Sequence, residues 1–197
     1  MAKVEKYNMT EICVQINGDF EEIKKSVLDK GFEFSEAYDN YDTYFTTIQK
    51  DQIKRVSYKQ LLDNSLIIRN IKGKDFDIKN IVYKKKTLDE NGNVANEIKT
   101  KLKIDDIHKA KTIFYSMGLN CWCDYINHNN EFKKGEIVLN IQYVNELGTF
   151  IEIEEFKSIE NKTDKEKFSI LMDIINSFGF AIGNDYSCKK PFMILNK

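Results

Sequence analysis

The sequence predicts an α+β protein whose antiparallel β-sheet closes, or nearly closes, into a barrel-like tunnel with about three flanking helices. Three observations lead to this fold. Apolar and polar residues alternate in many segments of the chain, turn-forming residues separate most of these segments, and helical periodicity occurs at only three points. Since we find no internal repeat and no linker, we expect residues 1–197 to form a single domain.

The first half of the chain begins with a strand and a short helix. Residues 10–17 alternate between aliphatic and polar side chains, which is typical of a half-buried strand. Asp19 and Glu22 then form a capping-box pattern that begins a helix, and Gly31 ends it. The pair Asn91-Gly92 predicts a tight hairpin. Four further strands are predicted in this half, over residues 38–47, 65–71, 78–87 and 94–104.

The second half of the chain contains two more helices and a strand hairpin. Helical spacing of apolar residues predicts helices over 107–117 and 164–178, each ending near a glycine. Residues 120–132 and 136–144 predict a hairpin, and residues 149–156 give the clearest alternation in the chain.

The composition excludes several classes of function. The chain has 30 Lys+Arg and 31 Asp+Glu, for a net charge of -1, which argues against nucleic-acid or membrane partners. We find neither a secretory leader nor an apolar run approaching the ~20 residues of a membrane span. The cysteines Cys13, Cys121, Cys123 and Cys188 show no disulfide framework. We therefore expect a cytoplasmic protein.

Charged residues alternate with aliphatic residues inside otherwise good strands. In an ordinary antiparallel sheet such a charged face points to water. In a closed barrel the aliphatic face can instead pack outward under helices, while charges of both signs line the lumen. Such a lumen suits a ligand that needs cations and anions together, because Lys and Arg bind phosphate oxygens and carboxylates hold a divalent cation that also contacts the phosphates. The residues concerned are Glu11, Arg69, Lys84, Lys86, Glu97, Glu152 and Glu154.

Five short motifs follow one another in a recognisable order. They are Asp42–Phe45 (DTYF), Leu66–Arg69 (LIIR), Val82–Lys84 (VYK), Leu139–Val144 (LNIQYV) and Leu147–Glu154 (LGTFIEIE). In this order the chain resembles the CYTH family, the triphosphate tunnel group that includes class IV adenylate cyclases, thiamine triphosphatases and inorganic triphosphatases. The last motif is the most specific, and the resemblance extends over nearly the whole chain.

The resemblance implies a ligand, a metal and a set of site residues. The ligand would be a small molecule with a triphosphate: ATP, thiamine triphosphate or tripolyphosphate. The metal would be Mg²⁺ or Mn²⁺, and its implied ligands are Glu152, Glu154, Glu11 and Glu97. The implied phosphate-binding residues are Arg69, Lys84 and Lys86.

The chain also departs from the family pattern, and the departures leave two functions open. Six positions are neutral where the family pattern carries charge: Cys13, Gln15, Ile67, Asn127, Asn129 and Asn140. Thiol and amide groups do not replace carboxylates and cations. One hypothesis is therefore an enzyme, a metal-dependent adenylate cyclase or triphosphatase. The other is a non-catalytic module that binds a polyphosphorylated ligand or a partner.

A zinc site is a third hypothesis. Its ligands would come from Cys121, Cys123 and His128, with Cys13 as a further ligand. The Cys-x-Cys spacing does not match the usual zinc motifs, and buried free thiols are the simpler interpretation.

Overall fold

The structure is a computed structural model that describes residues 6–7, 10–88, 94–185 and 189–197; at 6–7, 86–88 and 94–98 only the backbone is described. The strands are β1 (Lys6–Tyr7), β2 (Glu11–Asn17), β3 (Glu33–Thr46), β4 (Ser65–Gly73), β5 (Asp77–Leu88), β6 (Val94–Lys103), β7 (Asn120–Lys134), β8 (Ile137–Val144), β9 (Gly148–Glu154) and β10 (Ala181–Ile182). The helices are α1 (Phe20–Asp29), α2 (Tyr58–Asp63), α3 (Ile107–Ser116), α4 (Asp164–Asn176) and α5 (Lys190–Leu195). None of these helices is both long and apolar enough to cross a membrane.

The strands form one antiparallel sheet with the order β1-β6-β5-β4-β3-β7-β8-β9-β2-β10. The N-terminal segment reaches both sides of the run from β6 to β9, because β1 pairs with β6 and β2 pairs with β9. Because β1 and β2 are close in sequence but lie on opposite sides of this run, the sheet curls into a tunnel. Within the described residues no backbone ladder joins β1 to β9 or to β10, so the tunnel is nearly closed.

The aliphatic faces of β2, β8 and β9 lie outside the tunnel, under helices α1 and α4. Ile12 and Val14 of β2, Ile141 of β8 and Ile151 and Ile153 of β9 belong to one buried cluster. The helices contribute Ile23, Val27, Leu171 and Ile175 to it. Burial of these side chains is the main force that holds the helices on the sheet. Because side chains alternate along a strand, the intervening polar residues point into the tunnel.

Helices α2 and α5 cover lumen-side residues. Leu62 of α2 and Phe192 of α5 share a cluster with Tyr44 and Ile67, whose side chains lie on the inner face of β3 and β4. The helices thereby place apolar side chains inside the sheet, where they exclude water. Helix α3 packs elsewhere, against Phe45 and its neighbours.

The predicted fold class is confirmed, and the structure adds two short helices to those that the sequence predicts. Five α-helices occur in the described residues, where the sequence predicted about three. The two missed helices, α2 and α5, have 6 residues each. Fewer than two turns are too short for a 3.6-residue periodicity to stand out. The Asn91-Gly92 turn lies outside the described residues.

Local signals for both missed helices are nevertheless present in the sequence. Ser57 and Gln60 form a capping box at the start of α2, where Ser57 Oγ accepts from the Gln60 backbone N–H. Pro191 stands in the first turn of α5, a position that tolerates a missing N–H.

Candidate functional site

A single cavity of about 130 Å³ inside the sheet brings the predicted site residues together. Five of them have described side chains, and all five line it: Glu11, Arg69, Lys84, Glu152 and Glu154. The other two, Lys86 and Glu97, face each other in the β5–β6 backbone register, but their side chains lie outside the described part of the structure. On these strands the charged face therefore lines the tunnel and does not point outward to bulk water.

The carboxylates come from two neighbouring strands. Glu11 of β2 lies opposite Glu154 of β9, and Glu152 follows two positions along the same face. Desolvation by burial and then repulsion from Glu152 and Glu11 raise the pKa of Glu154 to about 7, while Lys99 and Lys84 oppose the shift. Glu154 is exposed at the rim, so solvent screens part of this repulsion. Such a concentration of negative charge attracts a cation.

The carboxylates supply only part of the ligands that a metal ion needs. In the described residues, no group of three or more His, Cys, Asp or Glu side chains could hold a metal ion. Mg²⁺ does not require such a cage, because it is usually bound by one or two carboxylates together with substrate phosphates and water. Three carboxylates line the cavity, Glu11, Glu152 and Glu154, and any two of them would suffice for that pattern of binding.

Arg69 lies in the cavity wall with its guanidinium held by Asp42. Arg69 Nε donates to Asp42 Oδ1 at 2.6 Å and Nη2 donates to Oδ2 at 2.5 Å. Burial lowers the pKa of Arg69, but the charge and the hydrogen bonds of Asp42, whose side chain is 1% exposed, outweigh that effect and raise the pKa above its ordinary value. This two-point contact fixes the plane of the guanidinium, and only part of its donors are used.

Three further lysines line the cavity, and the sequence reasoning did not assign them to the site: Lys99, Lys189 and Lys190. Lys99 lies opposite Lys84 on β6. Lys99 alternates with apolar residues in the predicted strand over residues 94–104, and this pattern indicates that it shares the charged face. Lys189 and Lys190 stand at the beginning of helix α5, and no pattern in the sequence indicates that this helix packs against the inside of the sheet.

Lys190 is buried inside the sheet. It is 6% exposed, its Nζ lies 3.3 Å from Cys13 Sγ and 4.8 Å from the ring centre of Phe150, and it also donates to Gln142 Oε1. Helix α5 thus places the Lys190 ammonium group inside the tunnel, beside two neutral strand residues, Cys13 and Gln142. Five cationic and three carboxylate side chains line the cavity altogether.

The six positions that are neutral where the family pattern carries charge have different surroundings in the structure. Cys13 and Asn127 line the cavity. Ile67 is buried beneath α2. Gln15 donates to the Leu147 carbonyl at 2.6 Å. The remaining two asparagines make hydrogen bonds within the sheet: Asn129 to the carbonyls of Tyr38 and Asn127, and Asn140 to the Tyr38 hydroxyl.

The proposed zinc ligands do not come together. Cys121 packs near Phe45, whereas Cys123 belongs to the cluster under α2. His128 Nδ1 lies 2.8 Å from Asp39 Oδ1. Burial raises the pKa of the Cys123 thiol to about 12, which disfavours the thiolate that zinc requires. The structure supports the simpler interpretation of free thiols for the three described cysteines.

Known proteins similar to this chain were found by sequence and by structure. A candidate adenylate cyclase from Methanocaldococcus jannaschii is 28% identical over 186 residues, which cover 94% of this chain and 96% of that protein. No family model matches the sequence.

Solved structures share the fold at lower identity. The PH1819 protein from Pyrococcus horikoshii OT3 has a TM-score of 0.70 at 19% identity, covering 95% of this chain and 100% of its own. A candidate adenylyl cyclase from Hippeastrum, described as having a dominant triphosphatase activity, has a TM-score of 0.61 at 14% identity and covers 95% of both chains. A candidate adenylate cyclase from Vibrio parahaemolyticus has a TM-score of 0.59 at 14% identity, covering 92% of this chain and 91% of its own. Together these relatives confirm the resemblance of this chain to the CYTH family of adenylate cyclase-like and triphosphatase-like proteins.

Proposed function

We propose that the tunnel binds a metal–triphosphate complex and that the chain, acting as one domain, cleaves or cyclises a phosphoanhydride substrate. The observation that carries the proposal is the mixture of charges in one cavity: five cationic side chains with three carboxylates. A triphosphate needs cations around its oxygens, and a divalent metal bound to it needs carboxylates nearby. The names of the relatives point to the same kind of substrate.

In this proposal the cations hold the phosphate chain from several sides of the tunnel. Arg69 contributes a fixed planar fork from β4, and Lys84 and Lys99 contribute ammonium groups from β5 and β6. Lys190 approaches from α5 and supplies positive charge beside Cys13. Cations placed around a phosphoryl group before the reaction stabilise the charge that develops on its oxygens.

The carboxylates would hold Mg²⁺ or Mn²⁺ against the phosphates. Glu11, Glu154 and Glu152 lie on adjacent strands at one side of the cavity. A metal bound there would neutralise phosphate charge and polarise a phosphoryl oxygen. The proposal also includes Glu97 among the metal ligands and Lys86 among the phosphate-binding residues.

A second candidate function is a binding module without efficient turnover. It is favoured by the neutral residues that stand in the cavity wall where the family pattern carries charge. Cys13 and Asn127 are two of these residues. Removing an electrostatic contact from a site of this type costs about 10²–10³-fold in rate.

A turnover assay separates the two candidates. Purified protein would be incubated with ATP, thiamine triphosphate or tripolyphosphate and with Mg²⁺ or Mn²⁺, and phosphate, pyrophosphate and cyclic AMP would be measured. An enzyme releases one of these products only when metal is present, and Glu152→Ala abolishes the release. Saturable binding without product supports the binding module. Activity that Glu152→Ala leaves unchanged would show that the reaction takes place elsewhere.

A further inference from the structure

Two asparagines in the tunnel wall form a chain of amide hydrogen bonds with a fixed direction. Asn129 Nδ2 lies 2.7 Å from the carbonyl oxygen of Asn127 and 3.3 Å from that of Tyr38. A group that faces two carbonyl oxygens must be the NH₂ end of the amide, so Asn129 Oδ1 is left as an acceptor. It accepts from Asn127 Nδ2 at 3.3 Å. The orientation of the Asn127 amide follows, and its own oxygen can only accept.

This acceptor is buried and unsatisfied. Asn127 is 6% exposed, and its Oδ1 has no hydrogen-bond partner among the described residues. The same holds for Oδ1 of Asn40, which lies opposite Asn127 in the β3–β7 register. Both residues line the cavity that contains Arg69 and Lys190. A buried polar atom without a partner is unfavourable, so a ligand that supplies a donor at this place gains affinity by pairing it.

The phosphate chain itself cannot supply the donor. At neutral pH an ionised triphosphate presents almost only acceptor oxygens, and two acceptors repel each other. A metal ion has better ligands in the same cavity, because the carboxylates Glu11, Glu152 and Glu154 attract a divalent cation more strongly than a neutral amide oxygen does. A neutral hydroxyl or amino group satisfies the oxygen without adding charge.

We propose that Asn127, assisted by Asn40, accepts a hydrogen bond from a hydroxyl or amino group of the organic part of an organic triphosphate. This inference rests on the proposed function, and it assigns the substrate to the class of nucleotide-like triphosphate esters in preference to inorganic tripolyphosphate. A site that is built to pair a substrate hydroxyl discriminates strongly against analogues that lack it, because its own polar group is then left unpaired.

The test measures two affinities in two variants. Calorimetry with Ca²⁺ as the divalent ion would give Kd for ATP and for tripolyphosphate, with product analysis afterwards to show that the ligands stayed intact. In Asn127→Leu, the ratio of ATP affinity to tripolyphosphate affinity falls about fivefold or more, as expected for one lost hydrogen bond. The matched control is Asn70→Leu. Asn70 also has a buried unpaired Oδ1 but does not line the cavity, so the ratio stays as in the wild type.

A second measurement uses the wild-type protein alone and does not depend on how a variant folds. Among the 2′-deoxy and 3′-deoxy forms of ATP and the purine analogue without the amino group, at least one loses about fivefold in affinity. If tripolyphosphate binds but neither the variant nor the analogues change the ratio, the inference about Asn127 is wrong and the proposed function stands. If neither ligand binds to the wild type, both are wrong.

Discussion

Arg69 and Asp42 form a buried two-point ion pair in the wall of the tunnel, with Nε–Oδ1 and Nη2–Oδ2 distances of 2.6 Å and 2.5 Å. The Asp42 side chain is 1% exposed, so Arg69 compensates a carboxylate that is shielded from water. We expect Arg69→Met to lower the free energy of unfolding by about 3–5 kcal/mol, because it leaves a buried carboxylate without compensation. Urea unfolding followed by circular dichroism measures the loss.

The double variant is the control for this first prediction. In Arg69→Met/Asp42→Leu the lone charge is gone, so most of the lost stability returns. A loss below about 1 kcal/mol in the single variant, the range of exposed ion pairs, would mean that Asp42 is solvated and that the wall is more open than described.

Glu154 gives the protein a pH-dependent stability in the absence of metal. The pKa of its carboxyl is about 7 in the folded protein, against an ordinary value of 4.5. A raised folded pKa means that the folded state holds its proton longer, so this group's contribution to stability falls as the pH rises from about 5 to 8. We expect Glu154→Gln to remove that fall, measured by thermal unfolding in EDTA.

The matched control for this second prediction is Glu160→Gln, an exposed carboxylate outside the cavity, which should keep the wild-type profile. Added Mg²⁺ at pH 8 should stabilise the wild type more than Glu154→Gln, because a bound cation relieves the repulsion among the carboxylates. Parallel pH profiles for the wild type and Glu154→Gln would contradict the assignment of the shift to this site.

Lys190 should matter for ligand binding although it comes from the last helix. We expect Lys190→Met to weaken tripolyphosphate binding about 10- to 100-fold, the value of a hydrogen bond to a charged group. Lys165→Met is the control, because Lys165 is exposed on α4 and lies outside the cavity. Equal tripolyphosphate affinities for the two variants would show that α5 does not contribute to ligand binding.

Helix α2 depends on its cap. Ser57 Oγ accepts from the Gln60 backbone N–H, and the Gln60 side chain accepts from the Ser57 backbone N–H. We expect Ser57→Ala to cost about 1 kcal/mol in the free energy of unfolding. Ser169→Ala, at an exposed position inside α4, should change it by less than about 0.5 kcal/mol. A Ser57→Ala protein as stable as the control would mean that the cap is not formed in solution.

The carboxylates of the site could be predicted because they follow from local alternation. Glu152 and Glu154 are two residues apart in a strand, so they share a face whatever the fold. That this face lines a tunnel could not be read from periodicity, since a solvent-facing sheet has the same pattern. It depends on α1 and α4 covering the opposite, aliphatic face.

Lys190 and the role of Asn127 could not be predicted for a different reason. Lys190 meets Cys13 across a sequence separation of 177 residues and stands in a helix of 6 residues, so no local pattern links them. The sequence pattern identifies Asn127 only as a neutral residue at a position where the family pattern carries charge. Its unpaired oxygen depends on the orientation of the neighbouring Asn129 amide, which is a property of the assembled sheet.

The most direct test of the central claim is a calorimetric titration of the wild-type protein with tripolyphosphate, with and without Mg²⁺, alongside Lys84→Met and Glu152→Gln. The proposed site predicts saturable binding at one site, weakened in Lys84→Met whether or not Mg²⁺ is present. It also predicts that Mg²⁺ tightens binding in the wild type but not in Glu152→Gln. Absence of binding, or binding that both variants leave unchanged, would contradict a metal–triphosphate site in the tunnel.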